Sequence, residues 1–484
     1  RNDATQCRRH RAFGASTTTP PPRASVRLKQ TTMSASAMCR ATAAPSARAS
    51  PSTAERLSFA KVARPSNRRR STRARASEAE ASETEATKKV VFVGGTGRVG
   101  AASAAALVAN DPSVAKVVLA GRSDAAAAEA MERHPSLRGV ADFAKLDLAD
   151  AGSVAAAVAG ADLVVHSAGP FQGGGDRGAV MDAAIAAGVP YLDVCDDASY
   201  AQAAKSRHAA ARAAGVPCIT TAGVYPGVSN VMAADMIAAN REAGGDMDAE
   251  VEYVLYSYFC AGSGGVGDTI LATSYMLCGE DVESWENGAP VTSRPATQRK
   301  VVDFGKKCGK REVFMYNLPE THSARETFGA ETAKARFGTA PGAWNLAMVL
   351  MASLAPSGVL TDPKVAKTLA TLTAPLVRAV DGLVGERTAM RVDVKLKNGK
   401  TAGGIYNHPR LSDAVGDSVA AFASAMLAGE TRPGVWFPEE PGAIEDRAKL
   451  LEAASKGCDN YEINKASWML ESKPINLGFG LYLD

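Results

Sequence analysis

From Lys88 onward, short apolar runs rich in β-branched residues alternate with Ala-rich stretches whose apolar positions recur at helical spacing. KKVVFV (88–93) predicts a first strand, 100–109 the helix after it, AKVVLA (115–120) a second strand and 125–133 a second helix. VADFAKLDL (140–148) and ADLVVHSA (161–168) predict strands three and four. A helix over 178–187, PYLDVC (190–195), a helix over 198–214 and VPCITTAG (216–223) carry the series to a sixth strand. Strands alternating with helices in this way predict crossover connections, and hence an α/β domain with a doubly wound parallel sheet over 88–224.

The alternation stops after Tyr225. AEVEYVLYSYF (249–259) predicts a strand and 267–277 a helix, and TAMRVDVKLKNGKTAGGIYN (388–407) reads as a hairpin whose Asn398-Gly399 pair suits a type I′ turn. Residues 225–407 are therefore expected to form a second, mixed α+β domain. In the C-terminal portion, 408–484, an amphipathic helix over 412–427 is expected to return to the first domain. The tail after Lys449 shows no clear pattern.

Residues 1–87 have a different texture. Ser, Ala, Thr, Pro and Arg dominate without a sustained apolar period, so the segment cannot bury enough surface to offset its chain entropy and is expected to be disordered. Of the 55 Lys and Arg in the chain, 17 lie in residues 1–77, against only Asp3 and Glu55. The stretch from Met33, MSASAMCRATAAPSARASPS, looks like a plastid transit peptide, with cleavage expected near 73–76. Chloroplast is the expected location and mitochondrion the alternative. The remainder of the chain is acidic, by about 11 charges, which argues against a nucleic-acid partner because phosphate neutralisation needs a clustered cationic surface. The eight cysteines are scattered, with no CxxC or Cys/His pair at metal-ligand spacing, so no metal is expected. No apolar run reaches the roughly 20 residues needed to span a bilayer.

Candidate chemistry begins between the first strand and its helix, at Gly94-Gly95-Thr96-Gly97-Arg98-Val99-Gly100. Gly95, Gly97 and Gly100 satisfy G-x-G-x-x-G. Glycines there permit a tight turn, a close approach of backbone to a pyrophosphate, and close helix–strand packing, while the helix N-terminus offers free N–H groups and partial positive charge. The loop follows a strand and opens a helix, the context of a Rossmann-type dinucleotide site. The second strand then ends in Leu119-Ala120-Gly121-Arg122-Ser123, where NAD-specific folds carry an acid for the ribose 2′-OH. Arg122 can instead pair with a 2′-phosphate and Ser123 can donate to it, which favours NADP(H); Asp124 keeps an NAD(H) reading open. Asp147 and Leu148 stand where such folds approach the adenine, and Asp147 is also a candidate cap for the next helix. Ala168, Gly169 and Pro170 leave the fourth strand where a nicotinamide would sit.

HSAGPFQGGGDRGAVMDAAIAAGVPYLDVCDD (166–197), TAGVYPGVSN (221–230) and the L-x-G-x-x-x-P-G-V-W-x-P-E stretch from Leu427 to Glu439 resemble the saccharopine dehydrogenase family. The resemblance covers about 88–440 and is looser over 280–400. It implies an NADP-dependent oxidoreductase acting on a small molecule, either an imine or amino-acid adduct of saccharopine type or an enoyl, lipid-like substrate. A second domain would supply the substrate wall and often a homodimer contact. It also implies that Asp193 and Cys195 face the cleft after the fifth strand and that Tyr225 lies where the chain leaves the first domain, making these three the candidate catalytic residues. Each has a plainer role open to it: strand-end hydrogen bonding, core filling and hinge packing. His166 is expected in the core or behind the site.

The short-chain dehydrogenase alternative needs a Tyr and a Lys four apart on one helix face. Tyr200 and Lys205 are five apart, and Tyr461 and Lys465 lie far past the sheet. GSGGVGDTILATSYMLCGE (262–280) is a glycine-rich loop before a helix, expected as a substrate-side or packing loop, with anion binding at the helix N-terminus, capped by Asp268 or Thr269, as the alternative. GAWNLAMVLMASLA (342–355) is apolar but too short to span a membrane, so it is core, a wall for an apolar substrate, or a peripheral membrane contact. With no acid–base motif evident, a cofactor-binding sensor or scaffold without turnover is the competing functional reading.

Overall fold

The computed structural model describes residues 87–483 apart from 263–267, 357, 473–474 and 479–480. The expectation of disorder and a transit peptide over 1–87 falls almost wholly outside the described residues, as does most of the 262–267 glycine loop.

Six strands follow the predicted order: β1 (Lys88–Val93), β2 (Val114–Gly121), β3 (Ala141–Lys145), β4 (Leu163–His166), β5 (Tyr191–Asp193) and β6 (Pro217–Ile219). Between them run α1 (Arg98–Asn110), α2 (Asp124–Arg133), α3 (Ala151–Val158), α4 (Ala179–Ala187), α5 (Ala198–Lys205) and α6 (His208–Ala213). All pairings are parallel. Val90, Val91, Phe92 and Val93 have no exposed surface, because β1 is central and covered by helices on both faces. This is why it reads as a continuous apolar run rather than an alternation. One predicted helix, 198–214, is two: the Ser206 hydroxyl donates to the Ala203 carbonyl at 2.6 Å, competing with the helical ladder at the break.

α7 (Val228–Gly244) leads into the second layer, which consists of β7 (Val251–Ala261), α8 (Asp268–Leu277), β8 (Val282–Glu286), β9 (Ala289–Ser293), β10 (Thr297–Asp303), β11 (Lys310–Met315), α9 (Pro319–Phe328), β12 (Thr332–Ala340), α10 (Gly342–Leu354), α11 (Pro363–Val384), β13 (Arg387–Leu396) and β14 (Thr401–His408). The chain ends through α12 (Leu411–Leu427), β15 (Gly434–Trp436), α13 (Arg447–Ala454), β16 (Asn460–Lys465) and shorter elements. The second sheet runs β10-β11-β12-β7-β13-β14-β16, with the β8–β9 hairpin attached to β12. Only β12 and β7 pair in parallel, so the sheet is mixed.

Two boundaries drawn from the sequence need correction. The first sheet does not end at Gly223: β15 pairs in parallel with β6, giving seven strands in the order β15-β6-β5-β4-β1-β2-β3. The second sheet does not end at 407, since β16 adds to β14. Both strands come from segments too short to show a period. The expected hairpin is β13–β14, but its turn is not type I′. Gly399 alone is left-handed (φ +86°), and the Leu396 amide donates to the Lys400 carbonyl, the pattern of a type I turn closed by a left-handed glycine. α12 packs on α1 so closely that a Cβ at Gly416 would stand 3.0 Å from the Ala102 carbonyl oxygen. α10 is neither wholly core nor wholly wall: Asn345, Met348 and Ala352 are buried, whereas Leu346, Leu350 and Leu354 are exposed. No described helix is long and apolar enough to cross a membrane.

Candidate functional site

The strand order reverses between β1 and β4, and open α/β sheets bind ligands in the crevice outside the strand ends at that point. β1 delivers the glycine loop there. Gly94 has φ +80°, and a Cβ on it would stand 2.7 Å from the Ala168 amide nitrogen. A Cβ on Gly100 would come within 2.5 Å of the Gly94 carbonyl oxygen and 2.6 Å of the Ser167 hydroxyl. Gly95, Thr96, Gly97, Arg98 and Val99 complete the turn. Gly97 caps α1 without a side-chain bond, and no acid occupies the first turn. The first amides of α1 and the positive end of its dipole are thus left for an anion, so the loop fits a dinucleotide pyrophosphate.

At the end of β2, Arg122 is exposed and has no ion pair or hydrogen bond among the described residues. Ser123 caps α2, accepting from the Ala126 amide at 3.3 Å, and its hydroxyl proton stays available outward. Asp147 does not cap α3. Asp150 does, accepting from the Gly152 amide at 2.9 Å, while Asp147 folds back on the Ala149 amide at 3.0 Å. Leu148 is half-buried beside it. Ala168 lies against Gly94, and Gly169 and Pro170 continue from it through a cis peptide.

The following loop is fastened by Asp176, which accepts from the Gly178 and Val180 amides at 2.9 Å each and from the Tyr200 hydroxyl at 2.7 Å. His166 is fully buried with Nδ1 3.0 Å from the Tyr191 hydroxyl. Burial pushes its pKa down to about 4 against the pull of Asp176, so it is neutral at pH 7 and supports the loop from behind.

Beyond β5, Asp193 has no exposed surface. One of its oxygens accepts from the Thr221 amide at 2.8 Å, and from the Cys195 amide and Thr220 hydroxyl at 3.0 Å each. Burial raises it to about 6. The carboxyl clasps the ends of β5 and β6 and holds Thr221 at φ +64°, which makes it a positioning group rather than a cleft-facing catalyst. Cys195 is corrected likewise. Its sulfur is fully buried against the Asp197 backbone, and burial followed by the Asp193 charge pushes the thiol well up, removing the thiolate a nucleophile needs. The half-buried Tyr225 stacks on Tyr258, centroids 4.6 Å apart, and its hydroxyl lies 2.7 Å from Thr388 Oγ1. It joins the exit of the first sheet to β13.

The structure also assembles residues that the sequence did not single out. Tyr258 donates to Glu320 at 2.7 Å. Asn230 donates to Glu439 at 3.0 Å and to Ser323 at 3.1 Å. Gln172 donates to Asp196 at 3.1 Å. Asp196, Asn230 and Glu439 lie inside the three segments that carried the family resemblance, and that shared membership was the available signal. Nothing marked Glu320.

A seven-stranded parallel sheet with a glycine-lined switch point defines a dinucleotide-binding protein of the doubly wound class. Residues 90–219 match the family model of the saccharopine dehydrogenase NADP binding domain, so this part of the chain is similar to a nicotinamide-dinucleotide-binding domain of that kind. Two solved structures share the fold over most of the chain. One is apo histidine-tagged saccharopine dehydrogenase (L-Glu forming) from Saccharomyces cerevisiae, 15% identical over 76% of this chain and 96% of that one, with a TM-score of 0.50. The other is homospermidine synthase from Legionella pneumophila in complex with NAD, 10% identical over 79% of this chain and 92% of that one, also at 0.50. No curated protein matches the chain in sequence.

Proposed function

We propose that the chain is an NADP(H)-dependent oxidoreductase acting on a small molecule. When bound, the cofactor supplies hydride exchange; the residues at the site bind and orient it. The amides of the 94–100 loop and α1 take the pyrophosphate, and 168–170 line the nicotinamide end. The observation that carries the NADP(H) choice is Arg122, an exposed guanidinium at the end of β2 without a partner among the described residues. There it can pair with a 2′-phosphate through two parallel hydrogen bonds. The composition of 1–87 supports delivery to a plastid.

Fluorescence titration of the purified protein with NADPH and NADH tests the cofactor. Tighter binding of NADPH is expected; tighter binding of NADH, or no binding of either, overturns the reading. NADPH absorbance with a panel of imines, semialdehydes and enoyl compounds then separates turnover from a purely cofactor-binding role.

A further inference from the structure

The two faces of β7 differ in kind. Tyr256 and Tyr258 turn toward Tyr225 at the exit of the first sheet, and Ser257 between them turns to the opposite, outer face. The register of the second sheet extends Ser257 into a row on that face. Met315 of β11, Arg336 of β12, Ser257 of β7 and Arg391 of β13 are successive cross-strand partners, so neighbours in the row stand about 5 Å apart. Lys300 of β10 shares the face, because it pairs with Val313, two residues from Met315 along β11. The register slips between Thr297 and Lys300, and the bulge lets Gln298 accept from Lys334 of β12 at 3.3 Å. β10 is thereby drawn toward the strand that carries Arg336.

Arg336 is out of balance with its surroundings. It is 7% exposed, its Nε is buried, and it has no hydrogen bond or ion pair among the described residues. A guanidinium withdrawn from water in this way needs oxygens to receive its N–H groups. The acids nearby are committed elsewhere. Asp393 takes two bonds from Arg391, at 2.9 and 3.0 Å. Glu286 closes on Lys334 at 2.5 Å. Asp303 accepts from the Ser472 amide and hydroxyl at 3.0 and 2.7 Å. Arg336 and the exposed Lys300 are the two cations left without a carboxylate of their own among the described residues. Burial, then the charge of Arg336, lowers the Lys300 pKa, and burial lowers that of Arg336 against the pull of Glu286.

We infer that the outer face of the second sheet holds a small oxyanion, a phosphate or carboxylate group, on Arg336, with Lys300 and the Ser257 hydroxyl beside it. The guanidinium offers parallel N–H groups to two oxygens, the ammonium adds a point charge, and the hydroxyl can donate to a further oxygen. Such a ligand supplies the counter-charge that the row lacks. A neutral or cationic one would leave Arg336 uncompensated. The pleat of β7 sets this row on the side of the sheet away from Tyr258 and Tyr225, so the site is distinct from the 94–100 loop and its occupant does not compete with NADP(H).

Calorimetric titration of the full chain with inorganic phosphate, glycerol 3-phosphate, glutarate and neutral glycerol, with and without saturating NADPH, tests this. Binding of at least one oxyanion and none of glycerol is expected, unchanged by NADPH, and the order of the three anions distinguishes a phosphate ligand from a carboxylate. Arg336→Gln should weaken that binding by about 10-fold or more. Lys300→Ala, an exposed change, should weaken it by about 3- to 10-fold and decides the matter if Arg336→Gln fails to fold. Because Arg336→Gln removes a buried charge without a partner, its melting temperature without oxyanion should lie above the parent's. Added oxyanion should raise the parent's melting temperature and leave the variant's where it is. Absence of oxyanion binding, affinity that survives these substitutions, or displacement of the anion by NADPH, which would put it at the 94–100 loop, overturns the inference.

Discussion

The Asn230 side chain donates to Glu439 at 3.0 Å across a sequence separation of 209 residues. It thereby ties the first turn of α7 to the segment after β15. Burial raises Glu439 to about 7, well above its usual range. A carboxyl raised in the folded state stabilises the fold fully below its unfolded pKa of about 4.3, and that contribution is lost as pH rises through about 7. The melting temperature should therefore fall between pH 5 and pH 8. Glu439→Gln should flatten the fall and melt higher than the parent at pH 8. Equal slopes for the two proteins by differential scanning calorimetry would contradict this.

Gly100 admits no side chain. Gly100→Ala sets a Cβ 2.5 Å from the Gly94 carbonyl, so α1 must shift away from the loop, at a cost of about 1–3 kcal/mol. Denaturant unfolding should show that loss, and NADPH titration should show binding weakened by at least about tenfold. Parental affinity in the variant would mean that the loop does not form the cofactor site.

Arg122→Asp should reverse cofactor preference, because the acid repels a 2′-phosphate and accepts from a ribose 2′-OH. The NADPH/NADH affinity ratio is expected to drop by about 10- to 100-fold, the loss of one charge-assisted pair. An unchanged ratio would remove Arg122 from the site.

Cys195 should be chemically silent in the native protein. Its sulfur is fully buried and its thiol raised by burial, so iodoacetamide at pH 8 should label it only after denaturation, as read by peptide mass spectrometry. Cys195→Ser should keep the turnover found with any substrate. Rapid native labelling, or loss of activity with the fold intact, would restore the cysteine as a candidate nucleophile.

Local signals carried the first sheet. Buried parallel strands such as Val90 to Val93 announce themselves as apolar runs, and Gly94 and Gly100 are required by backbone geometry that leaves a fixed spacing. The rest depended on distance in the chain. β15 is three residues long and has no period of its own; only the edge of β6 makes it a strand. The same holds for the outer face of the second sheet. Arg336 and Lys300 are ordinary residues in sequence, and their meaning comes from register and from bonds left unmade. Asp193 shows the converse: a cleft-edge acid suggested catalysis, whereas its three donors reveal a clasp.

Because β15 belongs to the first sheet and α12 packs on α1, the nucleotide-binding half is written in two pieces, and everything from α7 to β14 is an insertion between them. β15 follows β6 only after that whole insertion, so a chain emerging from synthesis cannot complete the sheet until the insertion has been made. Truncation near residue 224 would leave β6 as an uncovered edge, a template for pairing with other chains. The nucleotide-binding half is for that reason not a detachable module, and cutting the chain there should yield aggregate rather than a small cofactor-binding protein.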